Sequence, residues 1–263
     1  VQTGDHRAGS GYRERNSTAD RALDILGLFS AGKPVWSGTE IADRLGVARS
    51  TGYRYLQSLV GRGFIEEAGH GYRLGPRVFE LARVARAGLG LSEVALPVMR
   101  GLAEQVNEMV LLTRRSGRSV VCLDLVEASR GVRLTYERGQ VLPINAGAAA
   151  QVLLAWADPV EVTALLGAGP LERFTARTIT DPNTLRARLV QIRKQGVAVA
   201  QGELDEHILG VAAPIRDAGG AVCAAVSVAA LAVRIPRAEL PALKFTVRAA
   251  ATDISRRLTL VDA

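Results

Sequence analysis

In the stretch Arg44–Glu67, RLGVARSTGYRYLQSLVGRGFIEE, the side chains equipped for chemistry are Arg49, Ser50, Tyr53, Arg54 and Gln57. Arg pairs with guanine O6/N7 or a phosphate, Gln with adenine, and Ser and Thr with phosphates, so the chemistry on offer is nucleic-acid recognition. Thr51 belongs to the same set but turns partly toward the preceding turn. No Asp or Glu falls between Arg44 and Phe64, while the span carries Arg44, Arg49, Arg54 and Arg62. A merely solvated helix face normally mixes signs. Gly52, Tyr55, Leu56, Leu59 and Val60 follow an i, i+3, i+4, i+7, i+8 stripe, which predicts a helix from about Ala48 to Gly61 with that stripe inward.

Other chemistries find little support. GLFSAGKP, from Gly27, fits the GxxxxGK spacing of a phosphate loop, but Pro34 replaces the required Ser or Thr, and Gly27 lies in an amphipathic helix rather than after a strand. There is no GxSxG, no HExxH and no GxGxxG after a strand. His6, His70 and His207 fall in an arm, a hairpin and a loop, and Asp124 and Glu127 on a predicted strand suit surface or structural pairing better than acid–base work. Cys122 and Cys223 show no CxxC pattern, which points to reduced, buried thiols. The sequence predicts no catalytic residues, no metal and no cofactor.

Several elements must position the polar face. After Ser17, a capping residue with Asp20 three positions on, Ala22, Ile25, Leu26 and Phe29 mark an amphipathic helix that ends at SAGKP. Ser37 and Glu40 form a second capping box, opening a short helix with Ile41, Ala42 and Leu45 inward, and Gly46 supplies the turn. Two alternating segments, Phe64–Glu66 and Tyr72–Leu74, surround Gly69 and Gly71 as a β-hairpin. Two helices, a glycine turn and a hairpin make a winged helix-turn-helix whose second helix enters the major groove. His70, Tyr72 and Arg73 on the wing suit the minor groove or the flanking backbone.

Domain organisation follows from the change of character along the chain. Residues 1–16 are expected to be a disordered arm, 17–75 the winged helix-turn-helix, 76–90 a connecting helix with Val78, Leu81, Ala82 and Ala85 on one face, and 91–263 an α+β domain. In the last, the sequence predicts helices near 93–106, 146–156, 159–166, 182–195 and 237–258. Strands are predicted at 109–115, 119–127, 131–137, 197–201, 210–216 and 221–228. The apolar run Ala221–Val233 is too short to span a bilayer, so no membrane role is expected, and the absence of a signal-peptide pattern in 1–16 implies a cytoplasmic protein. The net charge of +7 is densest in the first 90 residues, where 13 basic residues face 9 acidic ones, favouring an anionic partner there.

The blocks RALDILGLF, TEIADRLGVARSTGYRYLQSLVGRGFIEE, YRLGPRVFELA, ERFTARTITDPNTLRARLVQIRKQGVAVAQGELDEHILGVAAPI and AAVSV, in that order, resemble the IclR family of bacterial transcriptional regulators. The resemblance covers roughly Ser17 to Leu258. It implies a linker helix that helps form dimers and a C-terminal GAF-like or profilin-like effector-binding domain with a mixed sheet. It further implies a dimer or dimer of dimers, that is a homodimer or homotetramer, on a palindromic double-stranded DNA operator. The effector would sit between the sheet and the loop entering the helix of NAGAAAQVLLAWA, where Ala148 and Ala149 offer free N–H groups and Leu134 and Leu142 form apolar walls. Positions matching polar ligand contacts in organic-acid-binding relatives are Ala200, Gly210, Ser227 and Ala229, of which only Ser227 keeps a hydrogen-bonding side chain. Asn145-Ala146-Gly147 and Ala150-Gln151 replace the family's more polar entry and its Gly-Lys pair. The resemblance therefore implies an effector more apolar or larger than glyoxylate or pyruvate, such as an aromatic or terpenoid-like, largely apolar compound. The alternatives are an effector-independent oligomeric DNA-binding protein and, more remotely, an enzyme built on the C-terminal domain.

Overall fold

A computed structural model describes residues 17–30, 32–87, 90–127 and 134–261, which fall into two compact units divided at 88/89. The expected arm, 1–16, lies outside the described residues. No helix among those described is long and apolar enough to cross a membrane.

The first unit is built from α1 (Ser17–Leu28), α2 (Gly38–Leu45), α3 (Arg49–Gly61), a hairpin of β1 (Ile65–Ala68) and β2 (Gly71–Leu74), and α4 (Pro76–Ala87). Ser37 caps α2 as its pattern requires: its side chain accepts from the Glu40 N–H, and the Glu40 carboxylate accepts from the Ser37 N–H. Gly46 ends α2 in the left-handed conformation, at φ 65°. Ile25, Ile41, Leu45, Leu56, Leu59 and Ile65 form the core. Val60 was expected inward but is 36% exposed. At 100° per residue it stands about 80° from Gly52, at the edge of the stripe. Leu81, expected on the packed face of α4, is likewise exposed.

The second unit holds α5 (Leu91–Val106), β3 (Met109–Ser116), β4 (Ser119–Val126), β5 (Val141–Pro143), α6 (Ala148–Ala155) and α7 (Pro159–Gly167). It continues with α8 (Pro182–Gln195), β6 (Ala198–Gln201), β7 (Ile208–Arg216), β8 (Val222–Leu231) and α9 (Leu240–Val261). The strands form one sheet in the order β5-β4-β3-β8-β7-β6. Every adjacent pair is antiparallel, which corrects the expected mixed sheet. Short connections from β3 to β4, β6 to β7 and β7 to β8 favour antiparallel pairing there, whereas β3–β8 and β4–β5 are antiparallel because the fold brings those strands together. Part of the strand expected at 131–137 lies outside the described residues. Residues 134–137 carry no regular structure, and Val141–Pro143 pairs with Ser119–Val121 instead.

Alternation along the strands sorts side chains onto two faces. Val110, Leu112, Val211, Ala213, Ile215, Val226 and Val228 face α5 and α9, whereas Val120, Ala198, Ala200, Ala212 and Ala225 pack with α6 and α8. One face is thus lined by large residues and the other mostly by small ones.

Candidate functional site

The first site is the outer face of α3. Arg49, Ser50, Tyr53, Arg54 and Gln57 are exposed, and Thr51 is half-buried. Neither Arg49 nor Arg54 has an ion-pair partner among the described residues. The inner face fixes this display. A Cβ on Gly52 would stand 3.0 Å from the Ala42 Cβ, so α3 crosses α2 about as closely as two backbones can. The Tyr53 ring lies against the start of α2, where a Cβ on Gly38 would stand 3.1 Å from Tyr53 Cζ.

The wing is less uniform. His70 is exposed in the hairpin turn. Arg73 is ion-paired to Glu66 across the hairpin at 2.6 Å. Tyr72 exchanges backbone hydrogen bonds with Trp36 at 3.0 and 2.8 Å, and its half-buried ring packs against the core; burial, helped by Tyr53 and Glu67, raises its phenol above the usual range. Tyr72 therefore anchors the wing to the helices more than it projects from it. The glycine at 71 is required there, because a Cβ would meet the Trp36 carbonyl oxygen at 2.5 Å.

The second site is a cavity on the small-residue face of the sheet. Cross-strand pairing aligns Ala200, Gly210, Ala229 and Met109 in one row and Ala198, Ala212, Ser227 and Leu111 in the next. Short side chains in adjacent rows leave a gap beneath the start of α6, a cavity of 60 Å³. Of the positions predicted from sequence, Leu142, Ala148 and Ala149 line it from the loop and helix side, and Ala200, Gly210, Ser227 and Ala229 from the sheet. Leu134 is not among the lining residues; it packs beside them with Met109, Leu111, Cys122 and Leu125.

Glu203 and Tyr136 are among the lining residues that escaped the sequence reading. Glu203, 8% exposed, follows β6, and its Oε2 accepts from the Gly147 N–H at 3.1 Å and from Gln151 Nε2 at 2.6 Å. Gly147 precedes α6, so Glu203 itself places a carboxylate at the helix N-terminus. Tyr136 brings a phenol whose pKa is raised by burial, with smaller contributions from Asp205 and Cys122. Glu203 carried a weak signal in GELDEH, an acid between a strand and the alanine-poor turn after it; Tyr136 carried none beyond its place next to Leu134. His207 is exposed and does not line the cavity. Among the described residues no group of His, Cys, Asp and Glu is clustered to hold a metal ion. Asp124, buried, accepts from Arg138 Nε at 2.5 Å and from the Leu125 N–H at 2.9 Å, a structural role.

Comparison with known proteins identifies both units. Residues 18–69 match the IclR helix-turn-helix domain, and residues 85–256 match the bacterial transcriptional regulator IclR C-terminal domain. The HTH-type transcriptional regulator BhcR of Paracoccus denitrificans is 35% identical over 238 residues, 90% of this chain and 85% of its own. The crystal structure of a putative IclR transcriptional regulator from Silicibacter sp. TM1040 superposes with a TM-score of 0.84 at 29% identity, covering 92% of this chain and 96% of that one. An IclR homolog from Microbacterium hydrocarbonoxydans, solved in complex with 4-hydroxybenzoate, gives a TM-score of 0.80 at 28% identity over 92% and 99% of the two chains. These relatives are transcriptional regulators rather than enzymes. An exposed, acid-free helix on a winged helix-turn-helix, joined in one chain to a C-terminal domain of matching fold, places this protein in the IclR family of bacterial transcriptional regulators.

Proposed function

We propose that the chain acts in the cytoplasm as a dimer or dimer of dimers on a palindromic operator, and that a small molecule in the cavity below α6 controls its affinity. In this reading residues 17–75 bind DNA, 76–90 link and help pair the subunits, and 91–263 bind the effector. The observation that carries the DNA half is the outer face of α3, where Arg49 and Arg54 stand exposed with no acidic partner among the described residues. Symmetric pairing supplies the contacts that one such module lacks for genomic specificity.

The effector half draws support from the relative that holds 4-hydroxybenzoate and from the lining of the cavity, which is mostly Ala, Leu, Val and Ile. A cavity of 150 Å³ accepts benzene, so 60 Å³ admits a small apolar molecule and takes an aromatic one only if its walls move. That small volume is also the observation favouring an effector-independent DNA binder. A melting-temperature screen against metabolites separates the two, because an effector stabilises the folded chain by mass action.

The test of DNA reading is operator affinity measured across salt for Arg49→Ala and Arg54→Ala. Loss of about tenfold or more in each is expected, with the salt slope smaller by about one where the lost contact is to phosphate. Unchanged affinity, specificity and salt slope in both variants would contradict the assignment.

A further inference from the structure

We propose that this pocket selects a neutral or cationic apolar molecule bearing a hydrogen-bond donor, received by Glu203, and rejects carboxylic acids. The proposal rests on the reading of the cavity as the effector site. Glu203 is 8% exposed, and both of its hydrogen bonds are made by Oε2. Oε1 has no hydrogen-bond partner among the described residues, yet only Trp36 Nε1 is fully sealed without one, so Oε1 keeps open surface beside the cavity that Glu203 lines. The carboxylate is held there. Thr178 Oγ1 donates to the Glu203 carbonyl at 2.6 Å, and Thr175 Oγ1 donates to the Gly202 carbonyl at 2.5 Å, fixing the turn that carries it.

Ser227, 6% exposed, lines the cavity from the sheet, and its hydroxyl likewise has no hydrogen-bond partner among the described residues. Two polar side chains more than nine-tenths buried thus border one apolar space with unused capacity. Neither oxygen is sealed off without a partner, so each can receive a ligand hydroxyl or ammonium, and a ligand that fills the space without bringing a donor would leave the carboxylate oxygen unpaired.

A ligand carboxylate meets the opposite situation. At the start of α6 the Gly147 N–H is already taken by Glu203, and that carboxylate, seated on the helix N-terminus, offsets the positive end of the dipole and repels a second anion from the N–H groups of Ala148 and Ala149. The charged side chains lining the cavity are Glu203 and Asp205, with no Lys, Arg or His among the described lining residues. Arg188, close by, is committed behind α6 to Gln151 Oε1 and the Val199 carbonyl. An anion would lose its hydration and gain two acidic neighbours.

The experiment titrates the full-length protein with matched probes, phenol against 4-hydroxybenzoate, benzylamine against benzoate, and the smaller pair isobutylamine against isobutyrate, which asks less movement of the walls, by calorimetry and melting. The variants are Glu203→Gln, Ser227→Ala and Ala149→Trp, the last adding bulk to the cavity wall. Wild type is expected to bind each donor probe about tenfold or more tightly than its acid partner. Glu203→Gln should cut the benzylamine-to-benzoate ratio by about tenfold. Ser227→Ala should weaken the donor probes while leaving that ratio in place, and an unchanged melting temperature shows each variant folded. Acids bound as well as donors, or a ratio unaltered by Glu203→Gln, would overturn the proposal. If Ala149→Trp blocks acid binding in that case, the effector site stands and only its selectivity falls; if no probe binds, both readings fail together.

Discussion

Glu40 ties the stability of the DNA-binding unit to acid. Its carboxyl is held down to about 2 from 4.5, first by Lys33 at 2.7 Å and then by the Ser37 N–H and hydroxyl. A group depressed on folding contributes stability that is complete above its unfolded value and lost as pH falls through the folded one. The stability difference between wild type and Glu40→Gln should therefore hold above pH 4.5 and shrink toward pH 2 in acid-unfolding curves followed by circular dichroism. Equal differences at both ends would contradict the assignment of the pair. Cys122 shows the reverse case: burial and Asp124 push its thiol up to about 11, so it should react with a thiol reagent at neutral pH only after unfolding. The Ser37–Glu40 box was legible because its partners are three residues apart. Glu203 was not, because its partners Gly147 and Gln151 are 56 and 52 residues away and only the fold brings them together.

At the scale of elements, the position of the reading helix depends on the close crossing of α2 and α3. Gly52→Ala would bring its Cβ to 3.0 Å from Ala42 Cβ, and overpacking of that kind costs about 1–3 kcal/mol. A lower melting temperature is expected, with weaker DNA binding beyond what unfolding accounts for, since α3 must shift on α2. Unaltered melting would mean that the crossing relaxes freely. Most helices and strands were evident from 3.6- and 2-residue periodicity. Two features were not. The three-residue strand Val141–Pro143 is too short to show a period, and antiparallel pairing throughout depends on which strands become neighbours, which local patterns do not encode.

For the whole molecule, the proposed linker at 76–90 joins two units, one carrying exposed arginines and the other an Ala-rich cavity. Effector binding would favour one arrangement of paired linkers and so alter the spacing of the two reading helices, which is a coupling free energy between distinct sites. The direct measurement is operator affinity of the full-length protein with and without a compound that raises its melting temperature, for wild type and for Ala149→Trp. The compound is expected to change wild-type affinity about 5- to 150-fold, the usual span of such coupling, and to leave the operator affinity of Ala149→Trp unresponsive. Wild-type affinity that does not change with the bound compound, or an Ala149→Trp variant that still responds fully, would contradict control of DNA binding from this cavity.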